Sequence, residues 1–170
     1  DVEIIYSGDE NKFPTGINDM DFRYISVGDI DNDGDLDIVS GSNTHNSSAT
    51  ELGHINLYEN DGASDPTWTK TTIDSYIPGY FVELADIDSD GDLDIVSASK
   101  NPYGTTTYID WYENDGAATW TPAFTAADIN ISANVARDLH IADMDRDGDL
   151  DIVSASSGDN TIAWYENDGA

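Results

Sequence analysis

Cysteine is absent from the 170 residues, and basic side chains are scarce, with six Lys and Arg against 35 Asp and Glu. Disulfide bonds therefore cannot stabilise the chain, and bound cations are the alternative form of cross-link. The formal net charge of −29 argues against nucleic acid and anionic membrane surfaces as partners, because like charges repel. No run approaches the roughly 18 apolar residues of a membrane-spanning helix, so membrane insertion is not expected.

Catalytic motifs are also missing from the sequence. Neither Gly-x-Ser-x-Gly nor His-Glu-x-x-His occurs. The three histidines, His45, His54 and His140, stand at unrelated places in the repeats described below. Fifteen of the acidic residues stand in loops that suit a metal ion, which would withdraw them from acid–base catalysis. We therefore expect no enzymatic activity.

One acidic phrase of eleven residues occurs three times, beginning at Asp29, Asp86 and Asp143, so the starts are 57 residues apart. Each copy has Asp at positions 1, 3, 5, 7 and 9 and Gly at position 6. Carboxylates at positions 1, 3 and 5 of a tight loop point towards one centre, and the glycine permits the sharp turn that keeps them there. The main-chain carbonyl of position 7 and the carboxylate of position 9 can complete the shell.

A shell made only of oxygen donors favours calcium over zinc or copper, and one so rich in carboxylates disfavours magnesium. Two carboxylates about 4 Å apart repel by roughly 1 kcal/mol in water, so an empty loop would be strained. We therefore predict one Ca²⁺ in each repeat and three in the chain. The predicted metal-binding residues are Asp29, Asp31, Asp33, Asp35, Asp37, Asp86, Asp88, Asp90, Asp92, Asp94, Asp143, Asp145, Asp147, Asp149 and Asp151.

The acidic phrase has two other interpretations. An Asp-rich surface turn is possible for a single copy, because Asp and Gly are common in turns, but three matching copies favour a metal loop. An EF-hand requires Glu at position 12, where this chain has Ser40, Ser97 and Ser154. The residues that follow the glycine alternate in polarity and are rich in β-branched side chains, which predicts a strand rather than a helix.

A second phrase, Tyr-Glu-Asn-Asp-Gly-Ala, begins at Tyr58, Tyr112 and Tyr165. Short apolar runs precede and follow both phrases, so each period predicts four strands, A to D, with the acidic loop between A and B. Four strands in a repeat of this length are typical of a β-propeller blade. The predicted fold is an all-β propeller segment of three four-stranded blades in a single domain, with repeats at about 1–63, 64–117 and 118–170.

The two phrases together resemble those of the FG-GAP/VCBS repeat proteins, whose members include the integrin α-subunit propeller and many bacterial surface proteins. The resemblance covers essentially the whole chain. It implies a calcium ion between the innermost strand of each blade and the next strand, held in the first loop by Asp29, Asp31, Asp33, Asp35 and Asp37 and by their counterparts in the other loops. The family usually forms propellers with more than three blades.

The ends of the chain suggest a homodimer. Val2–Tyr6 occupies the sequence position of a D strand, and Ala170 follows the third C strand. We expect two chains to exchange D strands and close as a six-bladed C2 dimer, because a three-bladed unit would leave open edges. A segment trimmed from a longer propeller is the alternative. The chain has neither an initiator Met nor a signal peptide, as expected of a mature or excised segment.

The predicted function is a calcium-stabilised binding or adhesion module that recognises glycans or surface proteins. Millimolar calcium occurs outside cells, so an extracellular or cell-surface location is expected. The alternative is a structural or self-assembling segment with no ligand beyond calcium. A ligand site would lie opposite the acidic loops, where the B–C and D–A connections vary. Its candidate residues are Arg23, Tyr80, Arg137 and Tyr103.

Overall fold

The structure is a computed structural model that describes residues 20–44, 53–75, 79–100, 107–116, 124–127 and 135–169. Within these ranges the chain forms eleven β-strands and no helix. The strands build three antiparallel sheets, and each sheet follows chain order from its first strand to its last. No helix long and apolar enough to cross a membrane occurs among the described residues. The all-β prediction is therefore confirmed.

The strands divide by repeat. Sheet 1 contains β1 (Met20–Gly28), β2 (Asp37–Thr44), β3 (Gly53–Asn60) and β4 (Trp68–Asp74). Sheet 2 contains β5 (Gly79–Ala85), β6 (Asp94–Lys100), β7 (Thr107–Asn114) and β8 (Phe124–Ala127). Sheet 3 contains β9 (Ala136–Ala142), β10 (Asp151–Ser156) and β11 (Thr161–Tyr165). The predicted strands A to C are thus present in all three repeats, and strand D is present in the first two.

The three sheets share one register. Val39 pairs with Leu57 in sheet 1, and the equivalent pairs are Val96 with Trp111 and Val153 with Trp164. Because a slip of one residue would turn every side chain to the other side of the sheet, this agreement means that equivalent residues face the same way in each repeat. The 57-residue period of the sequence is therefore a structural period. The run Val2–Tyr6, predicted to be an exchanged strand, lies outside the described residues.

Each sheet has two apolar faces, because successive side chains on a strand alternate between them. The leading face packs on the preceding sheet, and in sheet 2 it consists of Val82, Ile95 and Tyr112. The trailing face packs on the following sheet, and in sheet 2 it consists of Ile87, Val96 and Ile109. Sheet 2 is therefore covered on both faces, and one apolar core lies on each side of it.

The core between sheets 1 and 2 joins the leading face of sheet 2 to four buried side chains of sheet 1, Ile30, Val39, Ile55 and Leu57. The core between sheets 2 and 3 joins the trailing face of sheet 2 to Ala136, Leu139 and Ile152 of sheet 3. The acidic loops connect the first strand of each sheet to the second, as the sequence predicts. Stacking of equivalent sheets therefore places the three loops at equivalent corners.

Candidate metal centres

The acidic loops bring carboxylates together in all three repeats. In each loop, three aspartates offer oxygen atoms that lie within 4.8 Å of one another. In the first two loops these aspartates occupy positions 1, 3 and 5, whereas in the third loop position 9 takes the place of position 5. The three groups are Asp29, Asp31 and Asp33; Asp86, Asp88 and Asp90; and Asp143, Asp145 and Asp151.

The backbone of each loop folds around its own carboxylates. In the first loop Gly34 has φ +99° and donates its N–H to Asp29 Oδ2 at 3.0 Å. The N–H of Asp35 donates to Asp33 Oδ1 at 2.9 Å, and the same two bonds recur in the second loop. A side chain at position 6 would be strained by this left-handed φ, although the space around it is open. Glycine is therefore required at position 6 for conformation and not for space.

One carboxylate oxygen in each of the first two loops lacks a hydrogen-bond partner. Asp29 Oδ1 and Asp86 Oδ1 are buried and unpaired, while the second oxygen of each residue accepts a glycine N–H. A buried anionic oxygen without a partner is costly, and a bound cation would satisfy it. The donor set therefore fits a hard divalent cation. The third loop differs, because Asp143 Oδ1 accepts the N–H of Arg146 at 2.6 Å.

The titration of the loop acids follows from their burial. Burial raises the pKa of Asp31, and the neighbouring charge of Asp33 raises it further. Burial also raises the pKa of Asp37, and it raises the pKa of Asp94 to about 6. The N–H groups of Asn167 and Met144 instead hold the pKa of Asp151 below its ordinary value. A positive ion in the first two loops would favour the ionised forms that burial disfavours.

Position 9 has a structural role that the sequence did not reveal. Asp37 accepts the N–H of Ile30 at Oδ2 and the N–H of Asn60 at Oδ1, both at 2.9 Å. Its counterparts Asp94 and Asp151 accept the equivalent pairs of N–H groups. The position-9 aspartate therefore joins the acidic loop to the Tyr-Glu-Asn-Asp-Gly phrase of the same sheet through both of its oxygens.

Position 7 also contacts the second phrase. A Cβ built on Gly62 would lie 1.9 Å from Asp35 Oδ2, and one built on Gly116 would lie 2.0 Å from Asp92 Oδ2. Both glycines have positive φ, +65° and +60°. The side chain of position 7 thus packs against the glycine of the second phrase, while its main-chain carbonyl is the group predicted to face the metal. Asp149 lies in the same place beside Gly169.

The asparagine of the second phrase connects neighbouring sheets. Asn114 Nδ2 donates to the carbonyl of Leu93 in its own loop at 3.2 Å and to the carbonyl of Ile30 in sheet 1 at 3.0 Å. Asn167 Nδ2 repeats both bonds, and its acceptor in the preceding sheet is the carbonyl of Ile87 at 3.0 Å. We refer to Asn114 and Asn167 as the inter-sheet asparagines. Each one links an acidic loop to the loop of the preceding sheet.

A family model described as an FG-GAP-like repeat matches residues 29–97 and again residues 86–154. Each match begins at an acidic loop and runs through the next one, and together the two matches cover most of the chain. The chain belongs to the FG-GAP-like repeat family. Its three sheets are accordingly propeller-like blades, and repeats of this family commonly bind calcium and are typical of extracellular or surface proteins. No curated protein matches the chain.

One acidic residue near the first metal centre of this FG-GAP-like chain was not among the site residues predicted from the sequence. Glu59 of the second phrase is buried, and burial is the largest cause of the rise in its pKa. The charges of Asp31, Asp37 and Asp33 raise the pKa of Glu59 further. The carboxylate of Glu59 therefore lies within electrostatic range of the first acidic loop. Its place in a phrase that follows each acidic loop was the available signal, because one copy of that phrase occurs in every repeat.

The predicted ligand residues are not gathered into one described site. Arg23 is exposed on β1, and Arg137 Nε donates to Ser157 Oγ of its own sheet at 3.0 Å. Tyr80 lies on β5, but its side chain is outside the described residues, as is the whole of Tyr103. Arg137 therefore has a structural contact, and the predicted ligand site opposite the acidic loops stays a prediction.

The histidines differ in their surroundings. His54 is buried in β3, whereas His140 lies on β9 with Nδ1 3.5 Å from Glu83 Oε1 of sheet 2. His45 is outside the described residues. The His140–Glu83 contact joins sheets 2 and 3, so His140 has a structural role.

Proposed function

We propose that the chain is a calcium-stabilised propeller module that works outside the cell as a binding or adhesion unit and has no catalytic activity. The observation that carries the calcium part is the buried, unpaired Oδ1 of Asp29 and Asp86 within a group of three carboxylates. Calcium bound there would supply positive charge to the unpaired oxygens, and in the first loop also to Asp31, whose burial raises its pKa. We propose one ion in each repeat, as the sequence predicted.

The protein's own residues explain why such an ion would stabilise the sheets. Position 1 is bonded to the glycine of its loop, and position 9 is bonded to the second phrase of the same sheet. The inter-sheet asparagines then connect each of the last two loops to the sheet before it. A loop held rigid at positions 1, 3 and 5 therefore positions donors and acceptors within its sheet and at the sheet boundary.

Removal of calcium tests this proposal. Binding to the folded state alone adds RT ln(1 + [L]/Kd), about 2.7 kcal/mol for one site at a hundredfold excess of calcium over Kd. For a chain of this size we expect EDTA to lower Tm by roughly 5–10 °C for each site that is lost. Asp88→Asn should lower Tm in calcium and have little effect in EDTA, because Asp88 belongs to the second carboxylate group.

Asp65→Asn is the matched control for the calcium test. Asp65 is exposed in the connection between β3 and β4, outside the acidic loops, so the same change of charge should leave calcium binding unaltered. Isothermal titration with calcium would measure the number of sites in the wild type and in both variants. An EDTA-treated chain that binds no calcium on titration and melts at an unchanged temperature would overturn the proposal.

Recognition of a glycan or a surface protein is the second part of the proposal. The family's occurrence in extracellular and surface proteins supports it. A glycan array probed in calcium and again in chelator would test it, with calcium-dependent binding as the expected result. The hydrogen bonds that connect the acidic loops to neighbouring sheets favour the alternative, a purely structural module. A silent array with an intact fold would support that alternative.

A further inference from the structure

The leading face of sheet 1 leaves apolar side chains exposed that the other sheets bury. Ile25 is 66% exposed, whereas its equivalents Val82 in sheet 2 and Leu139 in sheet 3 are 3% exposed. Val27 and Leu36, on the same side of the chain, are also exposed. The leading faces of sheets 2 and 3 are covered because another sheet precedes each of them. Tyr58, on the same face, is buried, so the uncovered part of the face is formed by β1 and the acidic loop.

The trailing face of sheet 3 is exposed in the complementary way. Ile162 is 80% exposed, whereas its equivalents Ile55 and Ile109 are fully buried. Met144 and Trp164 are about half exposed on the same sheet. Exposed apolar surface of this kind marks an interaction site. The chain thus carries the two halves of its own internal interface, one at each end of the stack.

The polar contacts at the internal boundary show what a matching interface would contain. Asn32, at position 4 of the first loop, donates through Nδ2 to Asp92 Oδ1, at position 7 of the second loop. At the two exposed faces the equivalent residues are Arg146 at position 4 and Asp35 at position 7. An arginine facing an aspartate would replace the bond from a neutral amide by an ion pair in which both partners are charged. The two faces are therefore complementary in charge as well as in apolar surface.

A second polar contact is complementary in the same way. Asn114 donates to the carbonyl of Ile30 across the boundary between sheets 1 and 2. Asn60, its equivalent in sheet 1, donates to the carbonyl of Leu36 in its own loop at 3.3 Å and has no preceding sheet to contact among the described residues. The equivalent carbonyl on the trailing face of sheet 3 belongs to Met144.

We propose that a second copy of this chain covers these faces, with the trailing face of sheet 3 against the leading face of sheet 1 of the other copy. Arg146 of one copy pairs with Asp35 of the second copy, and Asn60 of the second copy donates to the Met144 carbonyl of the first. Two copies joined twice in this way close into a ring of six sheets, within the range of about four to eight blades that propellers adopt.

A second copy is favoured over an unrelated partner because the occupant must reproduce the internal interface. The required features are an apolar face with the spacing of a leading or trailing face, and a charge of the correct sign at position 4 or 7. The chain itself supplies both. This association rests on the propeller fold of the proposed function but not on calcium affinity or on a glycan ligand, and it requires no exchange of strands.

The absence of cysteine allows a direct cross-linking test. Ile25→Cys and Ile162→Cys introduce one thiol each at exposed positions on opposite faces, and their internal equivalents, Val82 and Ile55, share one core. In calcium, a mixture of the two single variants treated with a short bis-maleimide should give a dimer of twice 18.4 kDa on a denaturing gel. Each variant alone should give little dimer, because each junction joins two unlike faces and the two identical thiols do not meet there.

Arg146→Asp supplies the second measurement. It should raise the dissociation constant of the dimer at least about tenfold in sedimentation equilibrium, because it would oppose two acids at each interface. Arg137→Asp is the matched control, because it changes the same charge at an arginine that contacts Ser157 of its own sheet. Circular dichroism and calcium titration of each variant establish that the fold and the metal sites persist.

The outcomes separate the possibilities. A chain that binds calcium, is folded and remains monomeric at about 100 μM would overturn the association while leaving the calcium proposal intact. A dimer that cross-links equally well in each single-cysteine variant would overturn the head-to-tail arrangement in favour of like faces meeting. A dimer that does not cross-link in the mixture, and whose dissociation constant is unchanged by Arg146→Asp, would overturn the assignment of the two faces to the interface. Cross-linking in the mixture alone, with weakening by Arg146→Asp, supports the proposal.

Discussion

Replacing Asn114 by alanine should destabilise the chain more than replacing Asn60, although both occupy the same place in the repeat. Asn114 is 2% exposed, and its side chain makes three hydrogen bonds, to the carbonyls of Leu93 and Ile30 and from the N–H of Gly116. Asn60 is more exposed and makes the two equivalent bonds within its own sheet. The bond to Ile30, across the boundary between sheets 1 and 2, is the added interaction.

The size of the difference follows from burial. A typical hydrogen bond contributes about 1 kcal/mol net, and a buried group left without a partner costs about 1–3 kcal/mol. Asn114→Ala removes three bonds and leaves buried carbonyls unpaired, so we expect a loss of about 3–4 kcal/mol in the free energy of unfolding. Asn60→Ala leaves groups that water can reach, so we expect a loss of about 1 kcal/mol in the free energy of unfolding. Asn167→Ala, at a less buried boundary, should lie between the two.

Urea unfolding in saturating calcium, followed by tryptophan fluorescence, measures these losses. The comparison belongs in an Arg146→Asp background at low protein concentration, so that few copies are associated and the Asn60 side of sheet 1 is mostly uncovered. Calcium titration of each variant reveals whether part of the loss comes from weaker metal binding. If Asn60→Ala costs as much as Asn114→Ala under these conditions, the bond to Ile30 does not stabilise the boundary, and the role of the inter-sheet asparagines is wrong.

Two further predictions concern the loops. Gly116→Ala should lower Tm more than Gly91→Ala. Both glycines have positive φ, but only a methyl group at Gly116 would clash with a neighbour, Asp92 Oδ2 at 2.0 Å. Equal losses of Tm in the two variants would contradict this contact. In EDTA, stability should fall as pH rises from about 4 to about 7, because burial raises the pKa of Asp94 to about 6 and the folded state binds more protons than the unfolded state in that window. The protonated form contributes fully below the ordinary pKa and is lost above about 6. Tm measured at a series of pH values should vary less in calcium than in EDTA. A Tm that does not change with pH in EDTA would refute the effect of burial on Asp94.

The arrangement of strands could be predicted because it depends on local pattern. The alternation of Leu-Asp-Ile-Val after each glycine marks β2, β6 and β10, and the recurrence of that pattern every 57 residues places them in equivalent sheets. Convergence of positions 1, 3 and 5 could be predicted for the same reason, since one tight turn sets their directions. The strand pattern and the convergence each follow from residues of one eleven-residue phrase, and the equivalence of the sheets follows from the repetition of that phrase.

The contacts that join loops to sheets could not be predicted in this way. Asn114 and Ile30 are 84 residues apart, and nothing in the spacing of either phrase shows that one donates to the other. The sequence also did not show that Asp37, a predicted metal ligand, accepts main-chain N–H groups at both of its oxygens. Such bonds depend on how one sheet stacks on the next, which is a property of the packed structure rather than of a single loop.

Ile30, at position 2 of the first acidic loop, takes part in contacts within its sheet, between sheets and in the apolar core. The N–H of Ile30 donates to the position-9 aspartate of its own sheet, and its carbonyl accepts from the inter-sheet asparagine of sheet 2. Its side chain is buried in the core between those sheets. Any displacement of the loop therefore strains a bond within the sheet, a bond between sheets and the packing of the core at once. An ion that rigidifies positions 1 and 3, on either side of Ile30, would consequently act on the sheet boundary as directly as on the loop that holds it.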